Sequence, residues 1–216
     1  KLHQRGRRFR EIRRVGIVLT NALYMAQKQH GTTKSITPNT KAIKASNAKY
    51  IKALESGLYD KELSFFDKNT GGYLLYSKNR KMDNMEYNAA TFMAVKGKQI
   101  TMTPEGGEGY ELIIANGNPK YGDGRIGITS YEQRSPKAAN EATARKTVEN
   151  AINHARKKGA TIAVLFDYSL SFKVKDIKHG AEHYERNHAE TKYQSVKSFI
   201  VVSGSGNIHE WELYKK

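Results

Sequence analysis

Residues 140–166 read NEATARKTVENAINHARKKGATIAVLF, and their two periods decide the fold. Ala144, Val148, Ala151, Ile152 and Ala155 recur three or four positions apart, which predicts a helix over Asn140–Lys158 with Gly159 as its stop. Thr161–Phe166 then runs without a charge and is rich in β-branched and apolar residues, as a strand covered on both faces must be. A one-sided helix followed by a two-sided strand calls for a sheet with helices packed on it. The expected class is α+β: a twisted, mainly antiparallel sheet packed by helices, with an N-terminal helical extension.

Toward the C-terminus, Lys175–Lys192 is polar and predicted helical, and Ser198–Ser203 with Ile208–Leu213 forms a closing hairpin about the Gly204–Asn207 turn. Upstream, strands are predicted at Gln99–Thr103, Tyr110–Ala115 and Arg125–Glu132, and a helix over Asp83–Lys96 stops at Gly97. Leu63–Asp67 and Tyr73–Ser77 flank Lys68–Gly72 as a hairpin. Before it, Ile12, Val15, Leu19, Leu23 and Ala26 mark one helix and Ile43, Tyr50, Ile51 and Leu54 a second. The expected organisation is a basic helical segment over residues 1–60 and an α+β domain over 61–216.

The formal net charge is +16, from 37 Lys and Arg against 21 Asp and Glu. A field of that sign attracts polyanions, and nucleic acid is the first partner to consider because each neutralised phosphate releases counterions. An anionic membrane surface is the rival, yet no run is long and apolar enough for a span and no lipidation motif is present. Arg5, Arg7, Arg8, Arg10, Arg13 and Arg14 crowd the first fourteen residues with Glu11 as their only acid, and are candidate phosphate contacts. The absence of cysteine excludes disulfides and thiolate metal sites and fits a reducing cytosol. The first residue is Lys1, which suits a piece of a larger parent polypeptide. Gly106–Gly109 and Ser203–Gly206 are turn sequences, and neither is a phosphate loop or a dinucleotide fingerprint.

Chemistry concentrates in Gly122–Ser135. On a strand Glu132 and Arg134 point to one face, and Asp123 begins that strand or the turn leading into it. Two acids and a guanidinium at a sheet edge suit a phosphodiester: carboxylates for a proton or a metal, a cation for developing phosphate charge. A turn and a surface ion pair would read the same way. His209 alternates with Trp211 on the last strand, as a general base beside a base-stacking ring would, or as half of an ordinary hairpin face. His154 reads as a packed helix residue, and His179, His183 and His188 as part of a solvated polar helix.

The order of these residues adds a resemblance. Glu86-Tyr-Asn-Ala-Ala-Thr-Phe-Met-Ala-Val-Lys-Gly-Lys-Gln-Ile, then Asp123-Gly124, then Glu132-Gln-Arg134, then a helix and an apolar strand, resembles the C-terminal nuclease domains of contact-dependent growth-inhibition toxins and their phage and mobile-element relatives. It spans Leu63–Trp211. It implies a nuclease-like core, either metal-using and PD-(D/E)xK-like or metal-independent and barnase/EndoU/colicin/RelE-like. It also implies a toxin-type endoribonuclease on structured RNA such as tRNA, with Glu86, Asp123, Glu132, Arg134 and His209 as catalytic candidates. Mg2+ would be the cofactor only for the metal-using core, and an immunity protein a partner. The working compartment would be a bacterial cytoplasm, reached by delivery or in a phage particle. Arg134 stands where the metal-using pattern has Lys, and Arg does not readily give up a proton to activate water. A non-catalytic nucleic-acid-binding module of a phage particle or mobile element is therefore the alternative.

Overall fold

Among the described residues, two of the four helices are capped by residues visible in the sequence. Asp83 accepts hydrogen bonds from the Met85 and Glu86 amides, and Thr143 from the Lys146 amide. The computed structural model describes residues 40–104, 122–136, 143–169, 172–190 and 194–215. Its elements are α1 (Thr40–Glu55), β1 (Phe65–Phe66), β2 (Tyr73–Tyr76), α2 (Asn84–Val95), β3 (Gln99–Met102), β4 (Gly124–Ile126), β5 (Thr129–Arg134), α3 (Ala144–Lys158), β6 (Ile162–Asp167), α4 (Val174–Asn187), β7 (Ser198–Ser203) and β8 (Ile208–Glu212).

The eight strands form one sheet in chain order. Four pairings are antiparallel (β1–β2, β3–β4, β4–β5, β7–β8) and three are parallel (β2–β3, β5–β6, β6–β7). The parallel pairs are those whose connections contain α2, α3 and α4, since parallel strands need a crossover. α+β with a mainly antiparallel sheet is thus the observed class.

Both sheet faces are covered. Phe166 meets Phe92 of α2 on one face, while Ala163, Leu165, Phe199 and Val201 join Val148, Ile152 and Ala155 of α3 and Ile177 and Tyr184 of α4 on the other. All six residues of β6 are buried, so its uninterrupted apolar run is explained by two covered faces. α2 is buried from Ala89 through Val95, which is why it shows almost no amphipathic period.

Three expectations change. Arg125–Glu132, expected as one strand, is the β4–β5 hairpin, turned at Gly127 with φ +63°. The Arg-Ile-Gly-Ile-Thr string alternates like a strand, and one glycine in a left-handed conformation suffices to fold it back. The polar helix expected to reach Lys192 ends at Asn187. Tyr50, Ala53 and Leu54 of α1 pack on Tyr59, Tyr73 and Leu75. That helix therefore belongs to the compact unit Pro38–Lys216, and the boundary expected at residue 60 falls inside it. The first expected helix and the strand expected at Tyr110–Ala115 lie outside the described residues.

Gly124 fixes the close approach of β3, β4 and β5. A Cβ there would lie 2.2 Å from the Thr101 carbonyl oxygen and 2.9 Å from Tyr131 Cε1. Gly124→Ala should therefore cost about 1–3 kcal/mol by overpacking, read as a lower Tm and a lower urea midpoint. Gly127→Asn, which tolerates the left-handed conformation, should cost much less in the same measurement.

Candidate functional site

The loop after β2 turns Arg80 into the protein, where its side chain is only 1% exposed. Its Nη1 donates to the Thr103 carbonyl at 2.8 Å and the Asp123 carbonyl at 2.9 Å. Nη2 donates to Asp123 Oδ1 at 3.0 Å and to the Glu86 carboxylate. Asp123 Oδ2 accepts from the Gln133 amide at 2.8 Å. One guanidinium thus ties the loop after β2, the end of β3, the start of β4 and the first turn of α2. Burial, then the neighbouring Asp123 charge, pushes the Glu86 carboxyl up to about 7, while Arg80 pulls it back. Burial works against the charge of the Arg80 guanidinium, and the adjoining Asp123 and Glu86 carboxyls act to hold it.

Across the hairpin Gly124 pairs with Tyr131, which sets Asp123 opposite Glu132. Glu132 faces α3, with its side chain 5% exposed and Oε1 2.9 Å from His154 Nε2. Burial first and Asp123 second raise the Glu132 carboxyl to about 8, with Lys158 opposing. Burial, Lys158 and Arg134 lower the His154 imidazole. Both directions favour a neutral carboxyl–imidazole contact over a full ion pair. The Tyr131 hydroxyl, Glu132 Oε2 and the Gln133 carboxamide are buried without hydrogen-bond partners. Native interiors rarely leave such atoms unpaired; Glu132 points to the α3 face and Tyr131 and Gln133 to the opposite one, so the shortage falls on both sides of β5.

Arg134, two residues on, lines an open groove of about 530 Å3 with Lys146, Arg156 and Lys157, and His154 forms part of its wall. The groove is thus cationic, and the buried acid lies behind its imidazole. Glu86, Asp123 and Glu132 are brought together through Arg80 and the hairpin register, and Arg134 stands beside them. His209 is not among them. It lies on β8, three strands from β5 and so about 14 Å away, against Trp211 at 6.1 Å between ring centroids. Arg5, Arg7, Arg8, Arg10, Arg13 and Arg14 lie outside the described residues. His179 and His183 line a second groove, between α3 and α4, with Arg145, Asp176, Glu182 and Arg186.

Sequence reasoning passed over two residues. Arg80 lies in a loop without periodicity, and only the fold brings it to Asp123, 43 positions away. His154 was expected to pack within its helix, and the placement of α3 across β5 instead leaves it 39% exposed and against Glu132. No local signal marked it: Asn153 and Ala155 flank it, and the charged run Arg156–Lys158 begins only after them.

Among the described residues no group of three or more His, Asp or Glu side chains is arranged to hold a metal ion. Mg2+ commonly needs only one or two carboxylates plus substrate phosphates. Asp123 and Glu132 fit that mode, Glu132 with an unpartnered oxygen.

No family model and no curated protein match the sequence. A solved structure, a CdiA-CT/CdiI toxin and immunity complex from Burkholderia pseudomallei, is similar at 20% identity and a TM-score of 0.43, over 59% of this chain and 81% of that one. A likeness of that size carries no functional argument.

Arg80→Met should cost about 3–5 kcal/mol, because it strands two carboxylates that the guanidinium compensates. Arg80→Lys should recover part of the lost Tm, since one cation remains but not the fork. A raised carboxyl binds its proton more tightly in the folded state, so the stability it contributes is complete below its unfolded value and is lost as pH rises through about 8. Between pH 5 and 9 the wild-type Tm should fall, and Glu132→Gln should flatten that fall. Parallel curves for the two proteins would contradict the shift.

Proposed function

We propose that this chain is a toxin-type endoribonuclease acting on structured RNA such as tRNA. The observation that carries the reading is the Glu132–His154 pair, 2.9 Å apart, opening on a groove lined by Arg134, Lys146, Arg156 and Lys157. Phosphodiester cleavage needs cations on the phosphate and a group that moves a proton beside it, and here both are adjacent.

Arg134 can hold a phosphate through two parallel N–H donors. When Glu132 is ionised and accepts from Nε2–H, the free nitrogen of His154 can take the proton of an attacking hydroxyl or water. When Glu132 holds the proton, that nitrogen carries the ring hydrogen and can give it to a leaving oxygen while Glu132 passes its own to Nε2. Asp123, locked by Arg80 and the Gln133 amide, stands behind Glu132 and adds to the raising of its carboxyl. Were Mg2+ bound, Asp123 and Glu132 would hold it, and it would neutralise phosphate charge and acidify a water. The resemblance to growth-inhibition toxins adds an immunity protein as partner and delivery into a bacterial cell as context. No helix among the described residues is long and apolar enough to cross a membrane.

tRNA cleavage by the wild type and three variants, with Mg2+ and with EDTA, tests the reading. Glu132→Gln and His154→Ala should each lower the rate by about 10²–10⁴ while tRNA binding stays close to wild type. Arg134→Lys separates the two chemistries: it should preserve or raise a metal-dependent rate, and lower an EDTA-resistant one because the planar fork is lost. Wild-type protein that cuts no RNA under either condition would replace the enzyme by the nucleic-acid-binding module. Cutting that survives all three substitutions would refute the site.

A further inference from the structure

α3 carries two stripes. The first is the buried one, Ala144, Thr147, Val148, Ala151, Ile152 and Ala155. The second is polar: Lys146, Asn150, Asn153, His154 and Lys157 follow one another at steps of four, three, one and three, which is one helix face. All five line the groove that reaches Arg134. From Lys146 to Lys157 is eleven residues, about 16 Å along the helix axis. Arg156 donates to Asn153 Oδ1 at 3.4 Å and the Tyr184 hydroxyl donates to the same oxygen at 3.3 Å, so that carboxamide is oriented. Glu149 is the one acid among the lining residues, 3.4 Å from Lys146.

The composition of this groove favours one form of nucleic acid. Proteins that hold single strands offer aromatic rings on which bases stack; among the described residues no Phe, Tyr or Trp lines the groove, and its His188 ring is already stacked on Tyr184 at 4.3 Å. It offers cations, which suit phosphates, and carboxamides, which both donate to and accept from sugar hydroxyls. A double helix of RNA presents phosphates and 2′-hydroxyls on its outside and keeps its bases stacked within. We propose that the groove along α3 holds the sugar–phosphate backbone of a double-helical RNA stem, read by shape and charge without base stacking, and leads it to His154 and Glu132. The proposal rests on the nucleic-acid reading above and adds the form of the substrate and the surface that takes it. Its specificity would be for structure rather than sequence, because backbone contacts position without reading bases.

Binding by the whole chain in EDTA, followed by fluorescence anisotropy over a salt series, tests the surface apart from any cleavage. The probes are an RNA hairpin with a stem of about 16 base pairs and an unstructured single strand of equal length. The stem should bind at least several-fold more tightly. Lys146→Ala with Lys157→Ala should weaken stem binding on the order of tenfold and reduce the salt slope by about two. Asn150→Ala with Asn153→Ala should weaken binding several-fold with the slope unchanged, since no charge is removed. Lys44→Ala with Lys52→Ala on α1 removes equal charge elsewhere and should have little effect. All four lysines are exposed, so the comparison does not turn on folding. Equal or tighter binding of the single strand, or the same loss from the α1 pair as from the α3 pair, overturns the proposal. Stem binding that behaves as expected while no RNA is ever cut leaves the surface standing and removes the endonuclease. Glu132-dependent cutting with wild-type binding in the α3 variants removes the surface alone.

Discussion

Arg80 is a buried cation that must be surrounded by acceptors, and much of the site follows from how that demand is met. Desolvating a guanidinium is costly unless its donors are bonded. The fold supplies two main-chain carbonyls and two carboxylates, drawn from the end of β3, the start of β4 and the first turn of α2. None of these pieces is close to the others in sequence. Their alignment around one planar fork fixes the entry of β4, and with it the position at which Asp123 stands opposite Glu132.

The second acid is handled differently. Glu132 has no guanidinium; it faces α3, where an imidazole meets it, and its second oxygen is unpartnered. Two carboxyls side by side in a poorly solvated place cannot both ionise at little cost. Burial first and the neighbouring Asp123 second push the Glu132 carboxyl up to about 8. This division of roles gives one carboxyl held by Arg80 and the Gln133 amide and one group able to exchange a proton with a half-exposed histidine. It arises from the hairpin register alone, since a shift of one residue would turn Glu132 to the face covered by α2.

The helices complete the arrangement through their faces. α2 is apolar nearly all round and serves as a core element under the sheet. α3 is strongly two-sided, and the side not used for packing carries the lysines, carboxamides and imidazole that line the cationic groove. The buried acid and the exposed cations therefore meet across one layer, α3 against β5. Acidic and cationic character are separated by burial rather than by distance along the chain.

Much of this was legible in the sequence. The periods of Ala144–Ala155 and Ile162–Phe166, the capping Asp83 and the closing glycines gave the elements, because propensity, capping and hydrophobic spacing act over a few residues. Asp123, Glu132 and Arg134 could be gathered as candidates because they lie within a dozen positions of one another. Where the chain folded back at Gly127 was not legible: a strand and a tight hairpin share the same alternation until one φ is known. Nor could the sequence show that Arg80 reaches Asp123 and Glu86, that His154 meets Glu132, or that His209 ends three strands away. Those are facts of strand order and helix placement, set by the summed packing of two sheet faces. Local sequence chose the elements and their polar residues, and the long-range packing of the sheet chose which of those residues meet.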